Sequence, residues 1–352
     1  MTLPFVRLRG DAFERGRAHG EALARRLRAF LDDGLCRLDA LLEEPVRLDR
    51  LRPLLGSYRA AIEAATPELA EEMRGLAVGA GITEDEATLL QVRREILGYQ
   101  RVPTLGDCTT YARSTGQEPV LAQTVDLNGD LDEHIAVLDV STGPRRSLVL
   151  SFGGLLGYLG VNTDGLAIGL NLVLGGDWRP GLPPYLAIRH LLDTAGSVDE
   201  AVEILRGLRL ASSRSLTLCD ARTTAWVEVL GDEMRVREGP ESFHTNHFLH
   251  PDFAGHDELN VFARNFSRLR LKTCQGGVAE LPAEADGEDH FALLATAPIR
   301  VEGTGDLRRE RTVAAVVVWP RRGELLVRPG DPVLSTTRSF AFDRPEKEAT
   351  DA

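Results

Sequence analysis

Gly106-Asp107-Cys108-Thr109-Thr110-Tyr111, followed by Ala112, is the stretch whose reading decides the fold. The chain before it is helical in pattern, and the chain after it alternates short apolar runs with turn residues. A cysteine followed by two threonines at that change of period reads as the head of a strand. That position suits a nucleophile. A thiol with an ordinary pKa of about 8.5 is only a few per cent thiolate at neutral pH, so it needs a base within hydrogen-bond reach. Cutting the bond between Asp107 and Cys108 would create one, because the freed α-amino group has a pKa of roughly 7.7 to 8.0. Nucleophile and base would then share one residue. The plain alternative is a small buried hydrophobe at a strand start.

On the N-terminal side, residues 3–8 read as a short strand and residues 12–42 as an amphipathic helix, with Leu23, Leu27, Phe30 and Leu31 at helical spacing. Gly16, His19 and Gly20 lie early in that helix, where the glycines permit close packing and the histidine reads as a packed, hydrogen-bonded residue. Thr66-Pro67 opens a second helix that closes at residues 79–81, and the capping box Thr83-x-x-Glu86 opens a third. On the C-terminal side, residues 108–114 and 120–125 form a predicted hairpin. A second hairpin is expected over 157–171, turning at residues 162–165, and further strands over 135–140, 148–152, 215–219, 225–230, 234–236, 312–319 and 324–327. Helices are expected from Pro183, from Ser197, and over 260–274 and 290–295. Strands, two consecutive helices and more strands describe a layered α/β or α+β domain.

At 352 residues the chain is long enough to bury a substantial core, and 43% hydrophobic with 27% charged residues is a globular composition. A net charge of −12 argues against nucleic-acid or anionic-membrane partners. Cys36, Cys108, Cys219 and Cys274 are widely spaced, as in a reduced, cytoplasmic protein. No apolar run approaches a membrane span, and no secretory leader is evident.

The segments RLRGDAFERGRAHGEAL, GDCTTYA, AQTVDLNGD, GLLGYLGVNTDGLAIGLNLV, GLPPYLAIRHLL and HTNHFL, in that order and over nearly the whole chain, resemble the penicillin acyltransferase family. These are cysteine N-terminal-nucleophile enzymes related to acyl-coenzyme A:isopenicillin N acyltransferase. The resemblance implies an α+β, four-layer αββα N-terminal-nucleophile hydrolase fold, with a helical segment over 1–107, a catalytic portion over 108–345 and a frayed tail over 346–352. It implies Cys108 as nucleophile, Asp126 as the acid that orients the amine and thiol, and Asn246 as the oxyanion residue. It also implies a catalytic arginine before the strand at 312–318, where register selects Arg309 over Arg308 and Arg311. Asp107, Cys108, Thr110 and Ser213 are the residues expected in self-processing, with Ser212 and Ser215 close enough to Ser213 to blur its register. The cleaved chains are expected to stay associated as a heterodimer.

Other patterns carry less. Asp126-x-Asn128-x-Asp130-x-Asp132 has Leu131 where a calcium loop needs glycine and Val137 where it needs glutamate. His244, His247 and His250 lack a cysteine or carboxylate cluster to complete a zinc site. The glycines at 153–160 lack a nucleotide-binding pattern, and no G-x-S-x-G elbow occurs. The expectation is therefore an enzyme acting on a small N-acyl amide or thioester through acyl-Cys108, without cofactor, and with acyl-coenzyme A as an admissible co-substrate. Transfer to an amine is the first reading. Release of an amine from a β-alanyl-type amide is the alternative, and a catalytically silent binding protein of the same fold is the third.

Overall fold

The computed structural model describes residues 3–98, 108–116 and 118–342. Asp107 and the tail over 346–352 lie outside the described residues. In chain order the elements are β1 (Phe5–Leu8), α1 (Ala12–Asp32), α2 (Gly34–Leu41), α3 (Leu48–Ala65), α4 (Pro67–Ala80), α5 (Glu84–Leu97), β2 (Thr109–Arg113) and β3 (Val120–Leu127). Then come β4 (Ile135–Thr142), β5 (Arg145–Phe152), β6 (Leu159–Asn162), β7 (Ala167–Leu172), α6 (Pro184–Thr194), α7 (Val198–Arg206), β8 (Arg214–Cys219), β9 (Thr224–Leu230) and β10 (Glu233–Gly239). The last are β11 (Glu241–His244), α8 (Pro251–Ala254), α9 (Val261–Glu280), α10 (Gly287–Leu294), β12 (Arg311–Trp319), β13 (Glu324–Pro329) and β14 (Arg338–Ala341).

The strands form an eight-stranded sheet, β1-β4-β5-β6-β7-β8-β9-β10, and a six-stranded sheet, β11-β2-β3-β12-β13-β14. Strands β2 and β3 pack face to face on β7 and β8. Helices α6 and α7 cover the outer face of the larger sheet, and α9 and α10 that of the smaller. The result is the expected α+β molecule with layers in the order αββα. Gly169 marks how closely the sheets approach, since a Cβ there would sit 2.5 Å from the side-chain oxygen of Gln123 on the facing strand.

Local sequence explains the helix ends. Asp11 with Glu14, and Thr83 with Glu86, form reciprocal capping boxes, Pro67 occupies a first helical turn, and Gly81 ends α4 in the left-handed region at φ 65°. The early glycines of α1 meet glycines of α4. A Cβ on Gly16 would lie 1.8 Å from the Glu72 carbonyl oxygen, and one on Gly79 2.0 Å from that of Arg17. Backbones thus touch where side chains ordinarily keep helices 8–10 Å apart. His19 is buried in this contact, but neither ring nitrogen has a hydrogen-bond partner, and burial pulls its pKa down to about 4. It is packed as expected and not hydrogen-bonded.

Two features depart from the sequence reading. The helix expected over 12–42 is broken, because Gly34, Leu35, Cys36 and Arg37 form a left-handed turn with φ between 52° and 62°. Such a conformation costs roughly 1–2 kcal/mol per non-glycine residue. The turn is held by its Cys36 carbonyl, which accepts from Arg93 Nε at 2.7 Å, and by Arg37 Nη1, which donates to the carbonyls of Gly129 and Asp130. The 1–107 segment is also more than a helical wrapping. Its β1 pairs in parallel with β4 as the edge of the larger sheet, and Glu72 of α4 forms a fully buried ion pair with Arg189 of α6.

Candidate active site

Cys108 lies at the head of β2 and is 2% exposed. Strand parity decides where its thiol points. Thr110 Cγ2 approaches Gly169 of the facing sheet, whereas Tyr111 reaches α10 through a 2.6 Å bond from its hydroxyl to His290 Nδ1. Even-numbered residues of β2 therefore face the seam between the sheets. Cys108 Sγ stands 3.8 Å from Tyr158 Oη, and Tyr158 in turn stacks on Tyr185. The Cys108 carbonyl accepts from Asn171 Nδ2 at 2.8 Å and from Arg270 Nη1 at 3.0 Å.

Asp126 is fully buried near the end of β3, one strand away. Thr109 pairs with Thr124, so Cys108 falls opposite Val125 and Asp126 lies one residue beyond it. The Thr109 N–H donates to Thr124 Oγ1, which donates to Asp126 Oδ2, while Thr312 Oγ1 donates to Asp126 Oδ1 at 2.7 Å. A register shift between Thr312 and Ala314 in β12 sets that hydroxyl beside the carboxylate. The acid is thus at the end of the strand pair where the Cys108 backbone nitrogen lies.

Asn246 comes from the loop after β11 and is 1% exposed. Its Nδ2 donates to the Leu172 carbonyl at 2.9 Å and its Oδ1 accepts from Arg270 Nη2 at 2.5 Å, which leaves the second amide hydrogen for another acceptor. Ser267 of α9 accepts from the Asn246 N–H at 2.9 Å. Glu228 fixes the rest of the loop by bonding His244 Nε2 and the N–H groups of Leu249 and His250. Burial would raise the Glu228 carboxyl, but those bonds, led by His244, hold it below the usual range.

The three histidines have separate duties. His244 bonds Glu228, His247 Nδ1 meets Ser267 Oγ at 2.8 Å with its pKa pulled to about 4 by burial, and His250 caps α8. Asp130 and Asp132 both pair with Arg311. No cluster among the described residues could hold a metal ion.

Arg309 is where the geometry departs most from expectation. It lies in the turn before β12, 55% exposed, with Asp306 as its ion-pair partner at 3.8 Å. Among the described residues an arginine that does touch Cys108 is Arg270, fully buried on α9, which bridges the Cys108 carbonyl, Thr109 Oγ1 and Asn246 Oδ1. Its signal was present in the sequence. Ala263, Ser267, Arg270, Cys274 and Val278 form one helical stripe, and all five are buried. Of the residues expected in processing, Thr110 faces the seam with its hydroxyl unpartnered, and Ser213 is buried with Oγ donating to the Val173 carbonyl at 2.6 Å. Ser212 turns instead to Glu95.

Beside Tyr158 opens a small pocket of about 40 Å³, walled by Phe30 of α1, Leu90, Gln91, Arg93 and Arg94 of α5, Leu127 and Asn128 at the end of β3, Phe152, Leu155, Tyr185 and Glu310. It lies where the N-terminal helices meet the mouth of the seam. No helix among the described residues is long and apolar enough to cross a membrane.

A cysteine heading an inner strand, in the seam of two stacked sheets covered by helices, defines an N-terminal-nucleophile hydrolase fold. The chain belongs to the acyl-coenzyme A:6-aminopenicillanic acid acyl-transferase family, whose model matches residues 113–294, more than half of its length. It is accordingly an enzyme acting on amide bonds. Among solved structures it is similar to penicillin V acylase from Agrobacterium tumefaciens, with 15% identity over 67% of this chain and 86% of that one and a TM-score of 0.48. The Caenorhabditis elegans ortholog of N-acylethanolamine-hydrolyzing acid amidase matches at 16% identity over 61% and 93%, with a TM-score of 0.45. A mutant conjugated bile acid hydrolase from Clostridium perfringens matches at 10% identity over 67% and 97%, with a TM-score of 0.44.

Proposed function

We propose that the protein cuts itself between Asp107 and Cys108 and then transfers the acyl group of a small N-acyl amide or thioester to an amine through an acyl-Cys108 thioester, with water as the competing acceptor. The observation that carries this reading is the buried array in which Arg270 ties the nucleophile residue to Asn246. In the processed form the free α-amino group of Cys108 takes the thiol proton as Sγ attacks the substrate carbonyl carbon. Asp126, held by Thr124 and Thr312, orients that amine. The negative charge that develops on the carbonyl oxygen is met by the second Asn246 amide N–H, whose direction is set by Arg270 and the Leu172 carbonyl. The carbon–nitrogen bond of an amide donor, or the carbon–sulfur bond of a thioester donor, then breaks, and the leaving amine or thiol carries away the proton. An incoming amine, or water, attacks the thioester and returns the thiol.

In self-processing Cys108 would attack the carbonyl before it, with Thr110 and Ser213 in the same seam. Arg309, on its exposed turn, has no part in this mechanism, and Arg270 takes the place assigned to an arginine. Four buried free thiols support a reducing, cytoplasmic setting. The test is mass spectrometry of the purified protein. Two fragments divided before Cys108, and one intact chain in Cys108→Ala, are the expected masses. Incubation with phenylacetyl and short aliphatic thioesters, with and without amines, should add the acyl mass to the Cys108 fragment and then release an amide. An intact yet active wild-type chain counts against the self-cut, and the absence of any acyl adduct counts against the reaction.

A further inference from the structure

The pocket beside Tyr158 is largely apolar, with Phe30, Phe152 and Leu155 on its walls, yet Arg93 lines it too. Arg93 is 9% exposed, and the structure accounts for only part of its guanidinium. Nε donates to the Cys36 carbonyl at 2.7 Å and the group lies 5.7 Å from the centre of the Phe30 ring, while Nη2 is buried with no hydrogen-bond partner. Arg94 and Glu310 stand on the same wall. A buried unpaired donor on a charged group is costly, and a purely structural position would be filled as well by methionine. The carbonyl that positions Arg93 belongs to the left-handed turn, so unfavourable backbone geometry is maintained where it orients this side chain.

We propose that the pocket is a subsite for an organic anion: the substrate of Cys108 carries, on an apolar body, a carboxylate or similar group that accepts hydrogen bonds from Arg93. Arginine suits the task because its planar fork donates two parallel bonds to a carboxylate and stays charged at neutral pH. Burial lowers the Arg93 pKa only to about 10. The inference rests on the acyl-transfer reading for the word substrate, but the subsite itself is tested by binding alone.

Calorimetry on the wild-type protein with 4-phenylbutyrate and 4-phenylbutanol, which share a body and differ in charge, gives the decisive comparison. The carboxylate is expected to bind at least about tenfold more tightly, as a charge-assisted bond implies. Arg93→Met should shrink that preference below about threefold, and Arg93→Lys, which keeps the charge without the fork, should fall between. Equal affinities in the wild type overturn the proposal even if Arg93→Met fails to fold, and so does a preference that survives in a folded Arg93→Met. Acyl adducts on Cys108 are scored separately: a lost preference with adducts intact removes the subsite alone, and a preference without adducts removes the reaction alone.

Discussion

Replacing Arg270 with methionine removes three hydrogen bonds at once and separates their structural from their chemical effect. The Cys108 carbonyl keeps its bond from Asn171, and Thr109 Oγ1 loses the donor it accepted from. Asn246 Oδ1 loses its partner inside the protein, at a cost of about 1–3 kcal/mol for a buried unsatisfied acceptor. Stability should therefore drop by about that amount. The rate should drop further. With Oδ1 released, the Asn246 amide no longer has its N–H held toward the reacting carbonyl, and loss of one oriented oxyanion donor costs on the order of a hundred- to a thousandfold. Single-turnover acylation followed by mass spectrometry, on preparations whose cleavage state is checked first, measures the chemical step, and urea melts measure stability. Arg270→Lys should recover part of the stability but little of the rate, because one ammonium cannot span the Cys108 carbonyl and Asn246. Arg309→Ala, a change on an exposed turn, is expected to stay within twofold of wild type. A folded Arg270→Met that acylates within threefold of wild type would refute the positioning role and leave Arg270 as a packing residue.

Asn246→Ala should lose on the order of a hundred- to a thousandfold in acylation with far smaller change in substrate affinity; a lowered melting point with unchanged acylation would reduce Asn246 to a loop anchor. Gly16→Ala drives a methyl to 1.8 Å from the Glu72 carbonyl oxygen, so α1 and α4 must separate, and a loss of about 3 kcal/mol is expected in urea melts; an unchanged midpoint would mean that the helices are not in contact. His19 is neutral in the folded protein down to about pH 4, while in the unfolded chain it takes a proton near 6.5. The unfolded state binds the extra proton, so stability present above pH 6.5 is lost as pH falls toward 4, by about 3 kcal/mol for this one group. Against His19→Leu, wild type should lose that much more between pH 7 and 4, and parallel pH curves would contradict the assignment.

The sequence and the structure agree most where a local rule governs. The capping boxes at Asp11 and Thr83, Pro67, and the hairpin headed by Cys108 each depend on neighbours within a few residues, and each appears where its residues stand. The glycines of α1 announced a close contact but not its partner. Family order singled out Cys108, Asp126 and Asn246, and the structure buries all three, whereas Arg309, singled out with them, stands on an exposed turn. Three residues apart, Arg308, Arg309 and Arg311 cannot be ranked without knowing which way an irregular turn faces. Arg270 offered a firmer clue, a charge on the buried stripe of a helix. The left-handed turn at Leu35 to Arg37 could not be foreseen, since nothing in those side chains favours positive φ. Contacts of Arg37 and Arg93 with distant carbonyls help to maintain it.

The pairing of β1 with β4 and the buried Glu72–Arg189 and Glu95–Arg214 ion pairs acquire a further meaning once the backbone before Cys108 is opened. All three join the part of the chain before Cys108 to the part after it. An uncut chain finds these contacts by a first-order search, but two separate chains must meet, so recovery from unfolding becomes second order and slows with dilution. The mature enzyme would then owe its persistence to the height of the barrier out of the folded state. Heat-treated samples of the uncut Cys108→Ala chain should regain their fold at any dilution, whereas a cut wild-type chain should, at low concentration, lose its activity for good.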